Sequence, residues 1–381
     1  MSADLKSSGL EGVNAGRTSI CRVDQTSLIY RGYEIADLAE HASFEEVAHL
    51  LLIGHKPSPE ELSSFSAGLA SHRELPKHVV DYLQTAKPML ASHTATPMDV
   101  LRTAVSILGN LHPNSQSTVH HDNLRKAKEL LARIPTIIGH MQNIIDGRDV
   151  VEPDPSLGHA ANLLYMMTGE KPSDREARVI DVSLILYAEH DYNASTFTSR
   201  VIAATLSDMH GAVTGAIAAL KGPLHGGANE AAMEMLKEID EHLRKGETVE
   251  DYMTRAFAQK RKLMGFGHRV YKNGDHRASI LHGLGREIAE SKGEDAVRWF
   301  EIGEQVMSIM REDKGIFPNV DFPCGMTYFV MGIPVPQYTP IFVAARVSGW
   351  AAHIMEQHEH NRLIRPMAEY VGPELRKWNE G

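Results

Sequence analysis

Ser43-Phe-Glu-Glu-Val-Ala-His-Leu-Leu-Leu-Ile-Gly54-His-Lys-Pro57 decides the fold class. Ser43 and Glu46 stand in the relation of a capping box, in which each side chain satisfies the other's backbone N–H. Val47, Leu50 and Leu51 follow at helical spacing. Gly54 and Pro57 then end the segment, because glycine takes the left-handed cap and proline cannot continue the ladder. The next residues repeat the device: Ser58-Pro59-Glu60-Glu61 places proline at a first helical position. Thr96-Pro97 opens another helix, with Leu101, Ala104, Val105 and Leu108 on one face. Ser173-x-x-Glu176 opens one carrying Val179, Val182 and Leu186. Alternating strand patterns are scarce and short, as at Thr18 to Val23. The chain reads as mostly α, with a small β element near its N-terminus.

Bulk properties narrow the function. A chain of 381 residues exceeds one simple core and suggests two domains, or one large domain with an insertion. Its 43% hydrophobic and 23% charged residues are those of an ordinary globular protein. With 39 basic against 49 acidic residues, the net charge of −10 excludes a general nucleic-acid binder, which needs a basic surface. Two cysteines, Cys21 and Cys324, give neither a disulfide framework nor a zinc-finger spacing, so a reducing cytoplasm is expected. Met1 to Glu11 lacks the apolar core of a signal peptide. The uncharged run Phe322 to Ala345 is long enough to span a bilayer, but Pro323, Pro334, Pro336 and Pro340 would break a helix there, so it reads as buried core and no membrane is expected.

Two stretches carry organisation rather than chemistry. Thr198 to Leu220 is rich in small residues at helical spacing, which suits either a close internal helix pair or a subunit interface. Lys237 to Glu250 is highly charged and reads as a solvated helix face and turn. The 21 histidines invite a metal site. His353, His358 and His360, and the adjacent His120 and His121, fit no standard zinc spacing, and none is assigned.

Three segments combine glycine or proline with a titratable residue: Gly222-Pro-Leu-His225-Gly-Gly-Ala-Asn-Glu230, Gly265-Phe-Gly-His268-Arg-Val-Tyr-Lys272 running on to Asp275-His-Arg277, and Pro318-Asn-Val-Asp321-Phe-Pro323. Taken alone, a histidine beside glycine is commonly a turn former and an aspartate after Asn-Val a cap. Gly265-x-Gly267 is no dinucleotide fingerprint, since the third glycine and the strand–helix crossover are missing.

In this order and at these intervals, the three segments resemble the signature of citrate synthases. Similarity extends to Gly9-Leu-Glu-Gly-Val13, Tyr30-Arg-Gly-Tyr-Glu-Ile35 and Phe44-Glu-Glu-Val47, and to Ala345-Arg346-Val-Ser-Gly-Trp350, Glu356-Gln357 and Asn361-Arg-Leu-Ile-Arg365-Pro366, which covers nearly the whole chain. The resemblance implies a citrate synthase-like helical fold. A large domain (1–221 and 322–381) would hold a smaller helical domain (222–321), the active site would lie in the cleft between them, and the protein would be a homodimer. It implies an acyltransferase of the tricarboxylic acid cycle that condenses acetyl-CoA with oxaloacetate and water to give citrate and CoA. No cofactor is implied, since the CoA thioester is itself the substrate.

Residue by residue, the resemblance implies Asp321 as the base, His225 as donor to the enolate oxygen and His268 as polariser of the oxaloacetate carbonyl. This division suits the chemistry, because a carboxylate accepts a proton and a neutral imidazole donates to an oxyanion. His190, Arg277, Arg346 and Arg365 would bind oxaloacetate, with Arg365 reaching in from the partner subunit; arginine grips carboxylates bidentately. Gly265, Phe266, Gly267 and Lys272 match the CoA-binding region. Two positions bear on the acyl group. Tyr187 stands where many citrate synthases have histidine and resembles 2-methylcitrate synthases, which use propionyl-CoA, whereas Val320 resembles the citrate enzymes. One methylene changes binding by only ~1–3 kcal/mol, so propionyl-CoA or both thioesters are the alternative substrates. A catalytically silent citrate- or CoA-binding homologue is the alternative of a different class. His276 stands where the family has proline.

Overall fold

The computed structural model describes residues 9–10 and 12–378; most of the Met1 to Glu11 stretch read for a leader lies outside them. Sixteen α-helices and one three-stranded sheet are present among these residues. The sequence-marked helices form where their caps stand: Phe44–Ile53 and Asp174–Tyr187 behind full capping boxes at Ser43 and Ser173, Pro59–Ser71 behind Ser58, and Pro97–Leu111 behind Thr96. Each such cap is worth roughly 1 kcal/mol. The strand is shorter than its pattern. Only Cys21–Val23 pairs, antiparallel to Leu28–Tyr30, which in turn pairs with Tyr33–Glu34. The hairpin's function is support: the buried Tyr30 hydroxyl reaches the carbonyls of Ile185 (3.2 Å) and Glu189 (2.8 Å).

The uncharged stretch from Phe322 folds as the helix Asp321–Val330, a short 3-10 turn, and the long helix Tyr338–Glu359. Both helices are core elements, and no described helix is long and apolar enough to cross a membrane. Tyr338–Glu359 packs against the helices His120–Ile145, Ala194–Ala203 and Met209–Leu220. Helix Asp321–Val330 packs against His276–Lys292 and Ala228–Leu243.

The small-residue stretch forms the close helix pair Ala194–Ala203 and Met209–Leu220. A Cβ at Gly215 would stand 2.2 Å from Ile202 Cδ1. The charged segment supplies the end of helix Ala228–Leu243, a turn, and the start of helix Val249–Ala258.

Candidate active site

The site begins at a helix end. The last carbonyls of Asp174–Tyr187 have no partner within the helix and form its negative pole. Arg277 Nη1 donates to the Leu186 carbonyl (3.4 Å) and Arg346 Nε to the Tyr187 carbonyl (2.6 Å). Two guanidinium groups from distant parts of the chain thus meet at one turn. They are only 4% and 2% exposed. Arg277 is paired bidentately with Asp275, at 3.0 and 2.8 Å. Arg346 lies over the Phe342 ring at 4.7 Å, and among the described residues it has no carboxylate partner.

Asp321 opens helix Asp321–Val330 and is half-buried. Burial pushes its carboxyl up to about 6, against the opposing pull of the Tyr187 hydroxyl and Arg277. The Tyr187 hydroxyl donates to Asp321 Oδ1 at 2.8 Å. The loop before the base is held twice: Asp275 Oδ2 accepts the Val320 N–H (3.1 Å), and Asn319 Oδ1 accepts the Asp321 N–H (3.1 Å).

Residues 265–267 are stitched antiparallel to 317–319. Gly267 N–H donates to the Phe317 carbonyl (2.8 Å), Asn319 N–H to the Gly265 carbonyl (3.0 Å), and the Asn319 amide to the Gly267 carbonyl (3.0 Å). Gly265, at φ +82°, must be glycine on two counts: its backbone is left-handed, and a Cβ would meet Phe322 at 2.9 Å. The stitch delivers His268 beside the Asp321 loop. His268 Nδ1 accepts the N–H groups of Val270 (3.1 Å) and Tyr271 (3.2 Å). Backbone N–H can only donate, so the ring proton sits on Nε2. Burial and Arg277 depress His268 to about 4, which keeps it neutral.

His225 shows the complementary arrangement. Its Nε2 accepts the Ser195 N–H (3.2 Å) and lies 2.8 Å from Ser195 Oγ, which itself accepts from Trp350 Nε1 (3.1 Å). The proton therefore sits on Nδ1. Burial, with Arg346 as a second cause, depresses this ring to about 4. His190 shares a hydrogen bond with the Tyr271 hydroxyl (3.1 Å), and its ring lies 5.0 Å from that of His268. It too is held neutral, by burial first and then by Arg277.

These residues form one neighbourhood. Asp321 and His190 sense both arginines, His225 senses Arg346, and His268 senses Arg277. Phe342 packs against both Tyr187 (4.3 Å) and His225 (6.4 Å). Glu230, the last residue of the first motif, takes the Thr339 N–H (3.2 Å) and so anchors the start of the helix that carries Phe342 and Arg346.

Other expected residues stand apart. Arg365 is exposed, in the extension after Glu359. Lys272 is exposed, with Nζ 3.4 Å from the His268 carbonyl. The polar backbone groups of Gly265 and Gly267 named above are spent on the stitch, and Phe266 packs on Phe322 at 4.5 Å. The clustered histidines are engaged elsewhere: His353 with Glu189 (2.9 Å) and Arg200 (3.0 Å), His358 with Asn123 (2.8 Å), and His120 with Glu359. One group, His49, His55 and Glu61, brings potential ligand atoms within 4.8 Å of one another, away from this neighbourhood. Sequence reasoning missed Ser195 and Asp275. Asp275 had a local signal, as a helix N-cap.

His276 occupies the first position of helix His276–Lys292 and is exposed. Proline suits that position. Its fixed φ would restrict the unfolded and open states, so His276→Pro is expected to lower the Michaelis constant for oxaloacetate about twofold. Steady-state kinetics at fixed thioester check this, and an unchanged constant removes the argument.

A mostly helical fold and a largely enclosed cluster of a free carboxylate, neutral imidazoles and arginines define an acid–base site suited to an anionic substrate. Residues 9–367 match the family described as citrate synthase, C-terminal domain. Citrate synthase 2 of Bacillus subtilis is 42% identical over 97% of both chains. The 2-methylcitrate synthase 1 of Corynebacterium glutamicum is 43% identical over 97% of this chain and 96% of its own. A ternary complex of carboxymethyl coenzyme A and oxaloacetate with citrate synthase from Thermoplasma acidophilum superposes with a TM-score of 0.90 at 33% identity, over 97% of both chains. This chain belongs to the citrate synthase family.

Proposed function

We propose that the chain joins the acetyl carbon of acetyl-CoA to the ketone of oxaloacetate and hydrolyses the product to citrate and CoA. The observation that carries this reading is the pair of fixed tautomers: two neutral imidazoles with opposite nitrogens protonated, around the same arginines as the half-buried Asp321 carboxylate. Asp321 takes a proton from the acyl methyl carbon. His225 Nδ1–H donates to the enolate oxygen as charge develops there. His268 Nε2–H polarises the ketone, and the new carbon–carbon bond forms. Water then cleaves the thioester. Arg277, Arg346 and His190 hold oxaloacetate. No metal or redox group enters this scheme, and the thioester is consumed as substrate. Lys272 faces the CoA phosphates, with Gly265 to Gly267 as the wall beside them.

We further propose a homodimer in which Arg365 completes the partner's site. The exposed extension supports it, since Leu363, Met367, Tyr370, Leu375 and Trp378 are 58–102% exposed and would gain by burial against another subunit. The small-residue helix pair is then the second candidate contact. Domains of 1–221 with 322–381, and of 222–321, place the site in their cleft. A cytoplasmic location accords with the two buried free cysteines.

Tyr187 favours a second reading, 2-methylcitrate from propionyl-CoA, and relatives of both names match equally well. Thiol release with each thioester at saturating oxaloacetate decides. The citrate reading expects kcat/KM for acetyl-CoA to exceed that for propionyl-CoA by about tenfold, the scale of one methylene. The opposite ratio replaces it with the methylcitrate reading. Release with neither would make the chain a silent homologue.

A further inference from the structure

Tyr187 is joined to the site in two ways that serve different ends. Its carbonyl holds Arg346. Its side chain, buried and packed against Phe342 at 4.3 Å, carries the hydroxyl to Asp321 Oδ1 at 2.8 Å. We propose that Tyr187 is a positioning residue for the reaction: its hydroxyl clamps one oxygen of Asp321 and leaves the other to meet the acyl carbon. This rests on Asp321 being the base.

The geometry supports a clamp over a passing contact. The ring sits at the end of a helix and against an aromatic face, so the hydroxyl has little freedom. A carboxylate with a free χ2 can turn either oxygen, or neither, toward the substrate, and misplacement by an ångström is costly for proton transfer. Burial raises the tyrosine's own ionisation well above its ordinary value, so the hydroxyl keeps its proton and always donates. The other groups facing the carboxyl are Arg277 and Asp275 from the start of helix His276–Lys292, Arg346 from helix Tyr338–Glu359, and Cys324 from its own helix. Among the described residues, Tyr187 is the side chain that hydrogen-bonds the Asp321 carboxylate.

The test compares pH profiles of kcat/KM for the thioester in the wild type, Tyr187→Phe and Tyr187→His. Activity requires the ionised base, so it falls as pH drops through the carboxyl's value. Removing a hydrogen bond to the charged form raises that value, so the acidic limb of Tyr187→Phe should move up by about one pH unit. Its plateau kcat should fall about tenfold through lost alignment. The Michaelis constant for oxaloacetate should change less than about twofold, because a carbonyl, which the substitution keeps, holds Arg346. That constant also reports that the variant is folded. Tyr187→His restores an N–H donor and should return the limb toward the wild type. A limb of Tyr187→Phe that coincides with the wild type overturns the clamp, as do Phe and His variants with one shared profile. Should Asp321→Asn retain turnover, the base assignment itself falls. An inactive Asp321→Asn with an unmoved limb in Tyr187→Phe overturns the tyrosine's role alone.

Discussion

Asp321→Ala is expected to cut turnover by about 10³-fold, within the range for loss of a general base, while oxaloacetate binding survives within about threefold. The separation follows from the geometry. Oxaloacetate is a dianion, and its proposed ligands are Arg277, Arg346 and His190, which hang on helix carbonyls, on Asp275 and on Tyr271. None of these supports runs through the Asp321 side chain. The carboxylate accepts from Tyr187, which loses only that partner when the side chain is cut back. Calorimetric titration with oxaloacetate, beside a thiol-release assay, separates the two quantities. Loss of both together would make Asp321 a structural residue and take the proposed chemistry with it.

Arg346→Met should have the opposite profile. A buried guanidinium whose direct partners are a carbonyl and an aromatic face has no ion pair to offset its desolvation, only the more distant charge of Glu189. Burial draws its ionisation below the ordinary arginine value. A substrate carboxylate would complete it. Losing one partner of a buried charge pair costs enough that the Michaelis constant for oxaloacetate should rise about 10²-fold or more. The ligand-free protein should meanwhile melt at the same temperature or a few degrees higher, because methionine replaces a buried charge without an ion pair with apolar volume. Thermal melting with and without oxaloacetate checks both, and the ligand-induced shift should vanish. A variant that melts far lower while binding normally would reassign Arg346 to the core. Arg277 would not show this contrast, since Asp275 already neutralises it.

The helices were legible because their signals are local. Ser43, Ser58, Thr96 and Ser173 each close a capping box within three residues. The strand at Thr18 to Val23 was over-read because pairing, not alternation, sets its length, and the hairpin partner offers only Leu28–Tyr30. The candidate site was visible as three motifs and a family resemblance. What orients them was not. Ser195 meets His225 across 30 residues, Asp275 meets Val320 across 45, Arg277 meets Leu186 across 91, and Arg346 meets Tyr187 across 159. Each of these contacts uses a backbone N–H or C=O on one side. Every residue carries those groups, so no letter of the sequence marks the position that supplies them.

The stitch between residues 265–267 and 317–319 has a consequence for motion. Its hydrogen bonds bind the loop bearing His268 to the loop bearing Asp321, while His225 is tethered to Ser195 and Trp350 through another part of the chain. A breathing movement that spares these bonds carries the ketone-facing imidazole and the proton acceptor as one rigid jaw. The enolate-facing imidazole is held from across the cleft, by Ser195 of helix Ala194–Ala203, so an opening that parts that contact would release the one ring whose proton faces the thioester.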